Sequence, residues 1–180
     1  MNTRAEASDS RSTRSRALTW ALFAMYAALL IGLVLAKFPF RYDSAASGRV
    51  LNLIPFAGSF TASGAFGYRE VLANVAIFVP YGLYIATLAP DWSFGKKLVP
   101  VIATTVGFEA IQYIFAIGRA DITDVMGNVL GGLIGIALYA ALARVWGSRA
   151  ALIVNIAGVV FTAAFLTLGA VVAAHSVHGK

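Results

Sequence analysis

The chain has no cysteine, only two histidines, five prolines and eight acidic residues among 180. Without cysteine there is no disulfide framework, no thiolate metal site and no thiol nucleophile. His175 and His178 stand close to the C-terminus with no third ligand nearby, which makes them tail residues rather than a metal site. Charge is scarce as well: 12% of residues are charged against 59% hydrophobic, and the mean hydropathy is +0.79. A soluble domain of this length needs far more charge to cover its surface, so the composition asks for lipid as solvent. The net charge of +6 does not point to nucleic acid, because the basic residues are scattered through loops and form no basic-aromatic face. Anionic lipid headgroups are the ordinary partners of such charges.

What is present is a series of long apolar runs. Residues 1–16 are polar, with Arg4, Arg11, Arg14 and Arg16, and read as a flexible cytoplasmic tail. Residues 17–36 are an unbroken apolar run of about one bilayer thickness. Val34-Leu35-Ala36 resembles a signal-peptide cleavage site, but the run exceeds the roughly 7–15 apolar residues of a signal peptide and favours an uncleaved span. Four more spans are expected at 70–90, 98–117, 125–145 and 150–173, and residues 174–180 form a short tail. The expected class is therefore an all-α, polytopic membrane bundle of about five helices, forming one domain over 17–173. Trp20, Trp92 and Trp146 near span ends fit an interfacial aromatic belt. Segment 38–69, with Pro39, Pro55 and many aromatics, is too broken to span and too apolar for a solvated loop. It reads as an interfacial or re-entrant cover.

Orientation follows the basic residues. An inward N-terminus leaves eight Lys/Arg inside and six outside, and the four-arginine tail dominates the first span. Segment 38–69, the 118–124 loop and the adjoining span ends then share the outer side.

The polar residues that interrupt this apolar background are few and close together. Glu109, Gln112, Arg119, Asp121, Asp124 and Asn128 fall within twenty residues. Ionisable groups at membrane depth are costly and persist with partners or a task. Glu109 and Gln112 share a helix face, as do Asp121, Asp124 and Asn128. Asn74 and Asn128 lie at similar depth on two other spans. A water-accessible polar pocket in the outer half of the membrane is expected there, with three carboxylates converging near the Arg119 guanidinium. Glu109 and Gln112 would otherwise clasp Asn74 or Asn128 across the bundle, and Asp124 would be a helix N-cap. Gly127, Gly131 and Gly135 form a GxxxGxxxG stripe whose role is close helix packing. Pro80 removes a backbone bond to Ala76, so a neighbour must re-satisfy that carbonyl. The final span, with only Asn155 and a few threonines, reads as lipid-facing.

Three motifs in order, Asn52-Leu-Ile-Pro-Phe56, Asn74-Val-Ala-Ile-Phe78-Val-Pro80-Tyr-Gly82 and the Glu109 to Gly135 series, resemble the VanZ-like membrane proteins over residues 45–140. The resemblance implies a bacterial envelope protein, in a family whose namesake is associated with resistance to the lipoglycopeptide teicoplanin; together with the spans and the charge placement, the expected location is the bacterial cytoplasmic membrane, multi-pass with the N-terminus inside. It supplies no reaction and no cofactor.

Three functions remain open on the sequence. One is a binding protein for an anionic envelope amphiphile, a lipid or lipid-linked precursor, using Asn52, Asn74, Glu109, Gln112, Arg119, Asp121, Asp124 and Asn128. In it Arg119 takes the headgroup, and Leu53, Ile54 and Phe56 act as a lid or as a static anchor. Another is a metal-dependent hydrolase or transferase of a lipid phosphate, with Asp121 and Asp124 on the cation and Glu109 as acid or base. The third is a scaffold in which the polar cluster serves only helix packing. Oligomeric state is not written in the sequence.

Overall fold

A computed structural model describes residues 3–36, 49–57, 59, 66–116 and 119–178. The elements are α1 (Thr3–Ala36), β1 (Val50–Asn52), α2 (Tyr68–Leu88), α3 (Phe94–Phe115), β2 (Arg119–Asp121), α4 (Ile122–Trp146) and α5 (Ala150–His178), with a 3-10 turn at Gly147–Arg149. The expected all-α class is what the chain adopts. The two three-residue strands add a small parallel pair in which Asn52 lies opposite Asp121.

Two expectations change. The polar segment read from the sequence as a flexible tail is helical from Thr3 and continuous with the first span. The span count also differs: four stretches are long and apolar enough to cross a membrane, namely Thr13–Leu33, Tyr68–Leu88, Phe94–Phe115 and Ile122–Gly169. The last merges the fourth and fifth expected spans into 48 residues, which at about 1.5 Å per residue is more than twice the thickness of the hydrocarbon core. Gly147, at φ +54°, ends α4 within it. Beyond the turn, α5 packs on α1 and α2, with Val154 in the same buried cluster as Leu22 and Tyr26.

Much of the expected 38–69 cover, residues 38–48, 58 and 60–65, lies outside the described residues. Its described part forms β1 and a turn at Ile54–Ala57.

Packing follows residue size. α2 and α4 form the most extensive helix pair, and glycine makes it possible. A Cβ at Gly131 would meet the Val75 carbonyl, one at Gly135 the Val79 carbonyl, and one at Gly82 the backbone of Gly132. Without side chains at these positions the two backbones approach closely, as in small-residue helix pairs of membranes. α2 runs unbroken through Pro80, and the Tyr26 hydroxyl of α1 donates to the carbonyl of Ile77, next to Ala76. Asn155, expected on a lipid-facing span, is instead buried and accepts from Thr19 Oγ1 at 3.0 Å, pinning α5 to α1. The other faces of α3 and α5 expose Ile102, Ile114, Ile156 and Val160, apolar surface suited to lipid.

Candidate functional site

The α2–α4 contact positions the first polar pair. Gly127 lets α4 approach Asn74 so closely that a Cβ there would lie 3.2 Å from the Asn74 Cβ. One turn before Gly127 on α4, Asp124 Oδ1 accepts from the Nδ2 of the same Asn74 at 2.5 Å, with both residues buried. Helix α3 closes the third side, bringing Thr105, Glu109 and Gln112 on one face through their i, i+4, i+7 spacing. Asn128 Nδ2 donates to Thr105 Oγ1 at 2.8 Å.

At the end where α2 and α4 begin and α3 stops, the paired strands make a latch centred on Asp121. α3 stops at Ala116, whose left-handed φ of 53° reverses the chain. β2 then carries Asp121 into the N-cap position of α4, where Oδ1 accepts from Thr123 N at 2.9 Å. Its other oxygen, Oδ2, accepts from Asn52 Nδ2 at 2.9 Å, and its backbone N–H donates to Glu109 Oε2 at 2.8 Å. Burial alone would raise the Asp121 pKa. The bonds from Asn52 and Thr123 and the nearby charge of Arg119 outweigh it and hold the carboxyl below its ordinary range.

The turn after β1 belongs to the same latch. Ala57 N donates to Ile54 O at 3.2 Å, with Pro55 and Phe56 as the central residues. Phe56 has φ 62°, a conformation that usually selects glycine at the third position of a type II turn. It is held there by its N–H, which donates to Thr123 Oγ1 at 2.8 Å. A bulky residue kept in this region is locally strained, and such strain persists only where surrounding bonds over-determine it.

Beneath the latch lies a small cavity of about 20 Å³, lined by Asn74, Ile77, Phe108, Glu109, Gln112, Asp124 and Asn128. That is room for about one water molecule. Gln112 Oε1 and Asn128 Oδ1 are buried there without a hydrogen-bond partner among the described residues. Arg119 is exposed on the outside, and so are Arg49 and Arg69 at the same end of the bundle. Arg49 also reaches the Ile114 carbonyl at 3.4 Å.

The structure thus brings Asn52, Asn74, Glu109, Gln112, Asp121, Asp124 and Asn128 together and leaves Arg119 at the surface. It changes four expectations about them. The N-cap of α4 is Asp121, with Asp124 in the first turn. Among the described residues no three Asp, Glu, His or Cys side chains are grouped so as to hold a metal ion, although Glu109 and Asp124 line one small cavity. The expected water-accessible pocket is a cavity of about 20 Å³, room for about one water molecule. Leu53 and Ile54 are 66% and 69% exposed, so they do not plug that cavity from above. Thr105 and Thr123 were not expected in the cluster. Thr105 was detectable as the residue one turn before Glu109 on the same face, and Thr123 by its place between two acids at a helix start.

This arrangement, apolar helical stretches of membrane-crossing length sealed at one end by a polar latch, defines a polytopic helical membrane protein. A family model described as VanZ/LLP1 matches residues 23–144. Protein VanZ of Enterococcus faecium is 43% identical over 124 residues, which cover 68% of this chain and 73% of that protein. The chain belongs to the VanZ/LLP1 family. No solved structure matches it.

Proposed function

We propose that this VanZ/LLP1 protein sits in the bacterial cytoplasmic membrane with its N-terminus inside and binds an anionic envelope amphiphile at its outer end. The amphiphile is a lipid or a lipid-linked precursor, and altered sensitivity to teicoplanin is the physiological output. The observation that carries this reading is the separation of charge at the latch. Asp121, Asp124 and Glu109 face inward and hold protein groups, whereas Arg49, Arg69 and Arg119 are exposed at the same end. An exposed guanidinium on a bonded strand is a natural partner for phosphate or carboxylate, which it can hold through two parallel N–H donors.

The headgroup would rest on Arg119, outside the cavity, since a one-water space admits no phosphate. Asn52, Asp121 and Glu109 would then be positioning residues that fix the strand carrying Arg119. Asn74, Gln112, Asp124 and Asn128 would support the strand from below.

The scaffold reading, third on the sequence, comes second here. It is favoured by the Asn74–Asp124 and Asn128–Thr105 bonds, which act as interhelical clasps whether or not a ligand exists. The metal-dependent hydrolase or transferase has no comparable support, because its cation needs a grouping of carboxylates that the described residues do not make.

Native mass spectrometry of the purified protein in mild detergent, beside Arg119→Gln, tests the proposal. Arg119 is exposed and is the smallest of the influences on Asp121, so the substitution should lower the unfolding temperature only slightly while a discrete lipid adduct falls at least tenfold. An adduct of equal occupancy on both proteins, or none on either, overturns the assignment. A mass change in the lipid during incubation would point to an enzyme instead.

A further inference from the structure

At the end of the bundle opposite the latch, the start of α3 and the last turns of α4 border a groove of about 460 Å³. Its floor is Ala137, Ala140 and Ala141, which share one face of α4 through their i, i+3 and i+4 spacing. Phe94 of α3 forms a wall, Ile136 marks the deep end, and Arg144 is the only charged lining residue. All of these except Ile136 are exposed, so the groove opens sideways, where a membrane places lipid.

Its dimensions are those of one leaflet. Ile136 and Arg144 are eight residues apart, which is about 12 Å along a helix. Half of a hydrocarbon core about 30 Å thick is close to that depth. Trp92 and Trp146, two residues before Phe94 and two after Arg144, are each 49% exposed and set the foot of the groove at the interface. The charge there has one sign. Residues 90–97 and 144–149 carry Lys96, Lys97, Arg144 and Arg149 against the single acid Asp91. A second copy seated on this face would bring the same cations to the same end, and like charges would meet. A zwitterionic headgroup would likewise bring a cation of its own. An anionic phospholipid brings a phosphate that accepts two parallel N–H donors from one guanidinium, and an apolar chain for the alanine floor.

We infer that the α3–α4 groove is a site for an anionic phospholipid, with its phosphate on Arg144 and one acyl chain along Ala137–Ala141. The inference does not depend on the amphiphile reading, since Arg119 and the latch lie at the other end. With the N-terminus inside, this lipid belongs to the cytoplasmic leaflet. It would bridge α3 and α4 on the side that the Asn128–Thr105 clasp does not reach. An open groove exchanges its lipid freely with detergent, so the site is read in a bilayer.

The test is fluorescence quenching by lipids brominated in the upper part of an acyl chain. Phe94→Trp places a reporter in the groove, and the three native tryptophans, all exposed, are changed to Phe. The protein is reconstituted in phosphatidylcholine with a small share of brominated phosphatidylglycerol or brominated phosphatidylcholine. Label in both leaflets makes the direction of insertion immaterial. Phosphatidylglycerol is expected to occupy the groove about fivefold more than phosphatidylcholine, the scale of one basic residue at a charged membrane surface. Arg144→Gln should abolish that preference, whereas Arg119→Gln should leave it intact. Ala140→Leu keeps the charge but fills the floor, and should lower the maximal quenching; it serves if Arg144→Gln does not fold. The inference is overturned if both lipids quench alike, or if a folded Arg144→Gln or Ala140→Leu variant is quenched as its parent is. It is equally overturned if the preference is lost in Arg119→Gln, or if the reporter is shielded from both lipids by a second copy of the chain.

Discussion

Asn52 and Asp121 lie opposite one another in a parallel strand pair, and the Asn52 amide donates to Asp121 Oδ2 at 2.9 Å across 69 residues of sequence. This bond ties the segment before α2 to the turn between α3 and α4. It also engages the carboxylate oxygen that the helix N-cap leaves over. Hydrogen bonds to a charged group contribute about 1.5–3 kcal/mol when well formed. Asn52→Ala is therefore expected to lower stability by roughly 1–2 kcal/mol, discounted because the site is only partly buried. Hydrogen exchange at residues 50–57 and around Asp121 should quicken, while α1 and α5 stay protected.

The same carboxylate predicts a pH dependence. Its folded-state pKa lies below the unfolded value of about 3.9, so the ionised form favours folding. That contribution is fully present above the unfolded value and is lost as pH falls through the lower folded one. The difference in unfolding temperature between the wild type and Asp121→Asn should be constant from pH 7 to about 5 and shrink below about 4. A difference that grows in acid would contradict the bonding described for Asp121.

Glycines on α4 and α3 should respond to alanine in opposite directions. At Gly131 and Gly135 an added methyl meets facing backbone, and each substitution is expected to cost about 1–3 kcal/mol by forcing α2 and α4 apart. At Gly107 nothing lies within 4 Å, and the better helix propensity of alanine should stabilise by up to about 1 kcal/mol. Separate unfolding curves for the three variants decide the matter. Equal effects would mean that the stripe does not set the helix spacing.

Thr105 is buried with 0% exposure and accepts the Asn128 amide. Thr105→Val keeps the shape and removes the acceptor, leaving an unsatisfied buried N–H at a cost of about 1–3 kcal/mol. Thr105→Ser should retain most of the stability because it keeps the hydroxyl. Comparing the two variants separates the hydrogen bond from the packing.

Legibility in the sequence divides along the range of the interactions. The glycine spacing on α4 was readable because it repeats every four residues, and the structure uses it to seat α4 on α2. Asn74, Glu109 and Asn128 were readable as a cluster because each interrupts an otherwise apolar helix. Their partners were not. Whether Asp124 would cap α4 or meet Asn74 depends on how far α2 slides along α4. The placement of Leu53 and Ile54 depends on the β1–β2 register, which residues 37–67 do not specify by themselves. The helical state of residues 3–16 was missed for a related reason: a polar segment with arginines carries no burial pattern, yet it continues an existing helix without a new nucleation cost.

Residue order and composition alone dictate the solvent, the helical class and the short set of polar groups that must be accommodated. These follow from composition and local periodicity: apolar runs need lipid, and in lipid a backbone satisfies its own bonds most simply as helix. Helix packing settles which carboxylate caps, which one clasps, that Arg119 is exposed, and that the space within holds about one water. Those outcomes depend on how closely helices far apart in sequence approach one another. They are set by glycine contacts whose closeness no local pattern records.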